Sequence, residues 1–132
     1  MAEIRTQATP WTTLYSDNTS QDGDFSPTGG WQAAADVDQG RCTFEVANTT
    51  DASGIIKPGF QTANSENSPD APSLIGSVNS KTGDGVSYPT AMFDLSSALA
   101  GKQLVRTGFW FQASAAGLKA ARVAARWEFK KC

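Results

Sequence analysis

The stretch Gln103-Leu104-Val105-Arg106-Thr107-Gly108-Phe109-Trp110-Phe111-Gln112-Ala113 decides the fold class. Its pattern has a period of two: Val105, Thr107, Phe109, Phe111 and Ala113 fall on one face, and Leu104, Arg106, Gly108, Trp110 and Gln112 on the other. That is the signature of a strand with one side in a core. The aromatic triplet Phe109-Trp110-Phe111 asks for cover on both faces, or for a Trp face that serves as a contact surface.

Working outward, the same period recurs in Cys42, Phe44 and Val46, which alternate with Thr43, Glu45 and Ala47. Trp31–Val37 and Gly40–Asn48 read as paired strands around Asp38-Gln39-Gly40. Ile4 to Tyr15 reads as short extended pieces interrupted by Pro10. Ser16 to Gly30 is a polar loop with turn signals at Asp22-Gly23, Ser26-Pro27 and Gly29-Gly30, and Phe25 inside it is expected to fold back on the core. Gly54 to Thr62 reads as a strand bent at Pro58-Gly59. A Gly-rich turn at residues 81–85 then precedes an extended run to Leu95.

The last segment has two readings. As a strand, it points Val123, Ala125, Trp127 and Phe129 inward and Arg122, Ala124, Arg126, Glu128 and Lys130 outward. As a helix, the Ala-rich 115–128 stretch aligns Arg122, Arg126 and Lys130 in one stripe. The clean alternation favours the strand, with Ala115-Ala116-Gly117 as a hairpin turn before it. The chain as a whole, 1–132, reads as one all-β domain: an antiparallel, jelly-roll-like β-sandwich of about eight strands, with one short helical turn near residues 95–100.

That turn lies in Asp94-Leu95-Ser96-Ser97-Ala98-Leu99-Ala100-Gly101-Lys102, where Asp94 or Ser96 can cap it and Gly101 can end it in the left-handed conformation. With the strand that follows, to Phe111, this run resembles the approach to the penultimate strand of carbohydrate-binding and related jelly-roll modules. There an Asp-Leu-Ser…Ala-Gly-Lys turn precedes a strand of alternating apolar and basic residues. The resemblance implies a sandwich and a sugar ligand. It transfers no binding residue, because those modules place their ligand residues in variable loops.

Composition limits the function. At 132 residues the chain can bury one core, and 39% hydrophobic against 18% charged residues excludes a disordered chain. The start, Met1-Ala2-Glu3-Ile4-Arg5-Thr6-Gln7, lacks the apolar segment of a Sec-type signal peptide. Synthesis in the cytoplasm is therefore expected, with a virion or other particle as a destination. No apolar run is long enough to span a membrane.

Charge is divided along the chain. Residues 101–132 carry seven basic side chains against Glu128 alone, a net of +6, while residues 1–100 carry four basic and twelve acidic ones, a net of −8. Arg122, Arg126 and Lys130 form the expected basic face. Such asymmetry can mark a head-to-tail contact between like subunits or a nucleic-acid surface, or it can be cancelled by acidic neighbours across strands. The overall charge of −2 and the absence of a recognition motif argue against nucleic acid.

The chain has no His, which removes His-based triads, His metal ligands and His proton switches. No phosphate-binding glycine motif occurs, and no carboxylate pair stands out for glycoside hydrolysis. No enzyme activity and no cofactor are expected. A weak calcium candidate, Asp17, Asp22 and Asp24, sits in a loop that departs from the EF-hand pattern and reads first as a solvated turn. Cys42 and Cys132 can form a disulfide, which spacing does not establish. Trp110, Trp31, Trp11 and Tyr88 are the candidate contact residues for a glycan, other ligand or interface; the alternative for each is a place in the core. Two functions follow. One is a non-catalytic structural subunit that forms a homo-oligomer or decorates a virion- or shell-like particle. The other is a carbohydrate- or other ligand-binding module using exposed aromatics.

Overall fold

The computed structural model describes residues 3–17, 25–35, 37–75, 80–90 and 92–131. In chain order these form β1 (Glu3–Ala8), β2 (Thr12–Ser16), β3 (Ser26–Pro27), β4 (Gln32–Ala33), β5 (Gln39–Ala47), β6 (Ile55–Ala63), β7 (Ser73–Leu74), β8 (Ser80–Lys81), β9 (Val86–Pro89), β10 (Phe93–Asp94), α1 (Ser96–Leu99), β11 (Leu104–Gln112) and β12 (Lys119–Lys131). Every described pairing is antiparallel.

The short pieces lie end to end against long strands. In the first sheet β12 pairs on one side with β1 and β2, and on the other with β5, which carries β9 and β10 on its far edge. In the second sheet β11 pairs with β3 and β4 on one side and with β6 on the other, and β6 carries β7 and β8. Counting end-to-end pieces as one lane gives four lanes per sheet. The edge pieces are short, which limits edge-to-edge pairing with other chains. Pro10 separates β1 from β2, where a residue without an N–H ends pairing.

The chain changes sheet at nearly every step. It passes from β2 to β3, β4 to β5, β5 to β6, β8 to β9, β10 to β11 and β11 to β12 by crossing the sandwich, and among the described strands only β6 and β7 are consecutive lanes that pair. Eight antiparallel lanes joined in this order are a jelly roll. Two sequence expectations are corrected here. Residues 31–37 and 40–48 are not a paired hairpin, since β4 belongs to the second sheet and β5 to the first. Residues 115–117 are likewise a crossover, not a hairpin turn, because β11 and β12 lie in different sheets. Local turn signals mark where the chain changes course; whether the next strand lands beside or opposite depends on pairings far away in sequence.

Between the sheets, Cys42, Phe44 and Val46 of β5 and Val123, Trp127 and Phe129 of β12 face Ile56 and Phe60 of β6 and Val105, Phe109 and Phe111 of β11. Phe109 packs edge-on to Phe44 with centroids 5.2 Å apart and lies 6.1 Å from Trp127. The alternation in β5, β11 and β12 thus produces the core the sequence implies, and residues 119–131 are strand. At α1, the Asp94 carboxylate accepts the Ser96 backbone N–H at 2.9 Å, and Gly101 has φ +74°, as the turn requires.

Candidate functional site

With one face of each central strand committed to the core, the opposite residues form two outer faces. The four aromatic candidates divide among different places. Trp31 and Trp110 lie on the outer face of the second sheet. Trp11 leads into β2 on the outer face of the first. Tyr88 stacks on the core residue Phe44 at 5.2 Å, and partial burial raises its phenol pKa by desolvation.

On the first sheet, β12 turns Ala120, Arg122, Ala124, Arg126, Glu128 and Lys130 outward. The three basic residues of the expected face therefore align, with Thr43, Glu45 and Arg41 of β5 beside them. Arg41 Nη2 donates to Glu128 at 3.0 and 2.9 Å, so part of the charge is compensated within the face. The small side chains of Ala8, Thr43 and Ala124 floor a shallow depression of about 360 Å³, edged by Glu45, Arg126 and Glu128. At one end of this face the Arg122 guanidinium lies 5.5 Å from the Trp11 ring centre. Trp11 is 43% exposed, Tyr15, opposite Ala120, is 63% exposed, and Leu118, leading into β12, is 70% exposed.

The second sheet is built differently. Gly108 of β11 and Gly59 of β6 are opposite each other. A Cβ on Gly59 would sit 2.3 Å from Trp110 Cζ3, and one on Gly108 would sit 2.7 Å from Phe25 Cζ and 2.3 Å from the Ser26 carbonyl oxygen. Glycine in a strand interior weakens it and marks close approach; here it lets two aromatic rings press close against the sheet. Phe25 and Trp110 meet edge-on with centroids 4.9 Å apart. Phe25 thus packs on the outer face and not on the core, a third correction to the sequence reading. Beside them Arg106 stacks over Trp31 at 4.3 Å, and its Nε donates to Gln61 Oε1 at 2.8 Å. Gln61 in turn donates from Nε2 to the Asp70 carbonyl oxygen at 3.1 Å. The Asp70 carboxylate accepts from the Thr62 hydroxyl at 2.6 Å and the Lys102 ammonium at 2.9 Å, which together hold its pKa below the usual carboxylate range.

One functional-looking carboxylate escaped the sequence reading. Asp51, only 6% exposed, ties together three crossovers at one end of the sandwich. Its carboxylate accepts the Ser114 backbone N–H at 2.6 Å and the Ser114 hydroxyl, and its carbonyl accepts the Thr82 hydroxyl. Burial pushes the Asp51 pKa up. The Ser114 and Ser53 hydrogen bonds and the Lys119 charge outweigh burial and hold it below the ordinary value. The local sequence Asn48-Thr49-Thr50-Asp51 signals a turn, not a joint between loops.

Of the calcium candidates, Asp17 is exposed, while Asp22 and Asp24 lie outside the described residues. Among the described residues no three His, Cys, Asp or Glu side chains gather into a metal site. Cys42 is buried in the core, where desolvation pushes its thiol pKa up, and its candidate partner Cys132 lies outside the described residues. No helix is long and apolar enough to cross a membrane among the described residues.

The eight-lane connectivity defines the class: an antiparallel jelly-roll β-sandwich with two accessible outer faces. No protein-family model and no curated protein matches the sequence. Among solved structures, the fold is similar to a chain in the structure of infectious bursal disease virus, Gt strain, with a TM-score of 0.60 and 8% identity over 97% of this chain and 33% of that one. A chain of the Gx strain gives a TM-score of 0.58 and 9% identity over 98% of this chain and 32% of that one. This chain therefore spans about a third of the length of the chains it matches, and the likeness is one of fold.

Proposed function

We propose that this protein is a non-catalytic structural subunit that associates with copies of itself or with a larger, virion- or shell-like particle. The observation that carries this reading is the exposure of Trp11, Tyr15 and Leu118 along the β2–β12 edge of the first sheet, with Arg122 beside Trp11. Trp, Tyr and Arg are the residue types that dominate protein–protein binding energy when a partner covers them. An exposed apolar cluster rimmed by charge is more expensive to leave in water than to bury. The flat Ala and Thr floor alongside gives a partner surface close access, and Arg126 and Lys130 favour an acidic edge on it. The fold likeness to chains from a virus structure supports the reading and does not name the partner.

Light scattering of the purified protein from micromolar to millimolar concentration tests it. Association beyond one chain, or co-purification with a particle, is expected, and the double variant Trp11→Ala/Tyr15→Ala should remain folded but lose it. A strict monomer at the highest concentration with no co-purifying particle overturns the reading.

A second reading, a ligand-binding module, is favoured by a separate observation: Trp31 and Trp110 share the outer face of the second sheet with an oriented arginine.

A further inference from the structure

We propose that Arg106, Trp31 and Gln61 form a docking point for the carboxylate of an acidic saccharide, whose ring rests against the Phe25–Trp110 pair. This inference rests on the ligand-binding reading and gives it a ligand class.

The guanidinium is held from two directions. Trp31 stacks on it at 4.3 Å, and Gln61 Oε1 accepts from Nε at 2.8 Å. Gln61 is itself 9% exposed and anchored to the Asp70 carbonyl oxygen, so the acceptor cannot swing away freely. What these contacts leave unused is the terminal fork: among the described residues, no hydrogen-bond partner is found for Nη1 or Nη2. Among the described residues no carboxylate neutralises the group either, since that of Asp70 is engaged by Lys102 and Thr62. Half-buried charges are ordinarily paired. A half-buried arginine held, among the described residues, by a neutral amide and an indole face is a cation oriented for an anion from outside, and its planar fork matches a carboxylate.

The neighbouring rings point to the rest of the ligand. Gly108 is the next outward-facing residue after Arg106 on β11, about 7 Å further along the strand. Phe25 covers Gly108 and Trp110 covers Gly59 on the adjacent strand. A sugar ring has an apolar C–H face that lies on such rings while a carboxylate at its edge meets the arginine. An acidic protein segment is the competing partner. A stable protein contact buries on the order of 800 Å² per partner around well-exposed anchors, yet Phe25, Trp31 and Trp110 are all only partly exposed. The more exposed aromatics, Trp11 and Tyr15, lie on the other sheet.

The test is an NMR titration of the full chain, following the four indole N–H signals. The probes are a glucuronic-acid oligosaccharide, its carboxyl-reduced neutral counterpart, inorganic phosphate and a glutamate-rich peptide. Saturable shifts of Trp31 and Trp110 are expected with the acidic sugar, weaker by roughly tenfold or more with the reduced sugar, and similarly weakened in Arg106→Lys, which keeps charge but loses the fork. Arg106→Gln should abolish them; should that variant not fold, Gln61→Leu, which frees the guanidinium, should weaken them instead. Equal binding of the reduced sugar overturns the carboxylate assignment while leaving a ligand-binding module. Equal binding of phosphate means an adventitious ion only and also overturns it. Tighter binding of the peptide replaces the saccharide with a protein partner. No response to any probe removes both this inference and the ligand-binding reading.

Discussion

On the outer face of the first sheet the central strands set alanine and threonine between charged side chains, whereas on the second they set glycine beneath aromatic rings. The difference governs what each face can do. Alanine keeps the first face shallow and leaves Arg41 and Arg126 exposed and Glu128 and Lys130 partly so, where ion pairs are screened and contribute little. Glycine gives the second face room to seat Trp110 and Phe25 close against the sheet, so its residues are packed and oriented without being in the core. Each face has an arginine beside a tryptophan. Arg122 lies 5.5 Å from an exposed ring, while Arg106 lies 4.3 Å from its ring and is pinned by an amide. One is suited to a broad partner and the other to a small anionic group.

The comparison can be broken most sharply at Gly108. Gly108→Ala places a Cβ 2.3 Å from the Ser26 carbonyl oxygen and 2.9 Å from Pro27 Cα, both backbone atoms that cannot rotate away. A loss of about 3 kcal/mol is expected from denaturant midpoints, while Ala124→Ser on the first face should stay within about 0.5 kcal/mol. Equal effects would show that the two faces are not built as described.

A middle-sized effect is expected where crossovers tie the sheets together. Asp51→Ala removes a charged acceptor from Ser114 and should cost about 2–3 kcal/mol at neutral pH. Asp51, Asp70 and Asp94 all have lowered pKa values in the folded protein. Their stabilisation is therefore fully present above the unfolded carboxylate value of about 3.9, and it declines as pH falls through the lower folded values. Urea midpoints taken from pH 6 downward should fall in acid, and Asp51→Asn should flatten that fall. An unchanged acid profile in this variant would remove Asp51 from its tying role.

The smallest effect belongs to the exposed pair on the first face. Glu128→Ala should lower stability by about 0.5 kcal/mol or less, and salt should erase the difference. A large loss would mean that this face is more rigidly organised than its exposure implies.

Strand parity was legible at once in β5, β11 and β12, because side chains alternate between faces whatever the partner strand is. That parity also placed Trp110 opposite Phe109 and Phe111, and Arg122, Arg126 and Lys130 on one face. Arg106 was assigned its face in the same way, but its role was not visible. Gln61 lies 45 residues away, and Trp31 lies in another lane. Asp51 was hidden for a like reason: Ser114, 63 residues on, meets it only because two crossovers share one end of the sandwich.

The hydrophobic pattern of this protein specified which segments are strands and which side of each is apolar, since that information is local and repeats every two residues. It could not specify which strand lies beside which. Ala115-Ala116-Gly117 reads as a hairpin turn yet carries the chain across the sandwich, and Asp38-Gln39-Gly40 reads as a turn yet Gln39 and Gly40 already belong to β5. Pairing is settled by burial and backbone hydrogen bonds contributed by the whole core at once, and those same long-range pairings bring Arg106, Gln61 and Trp31 together.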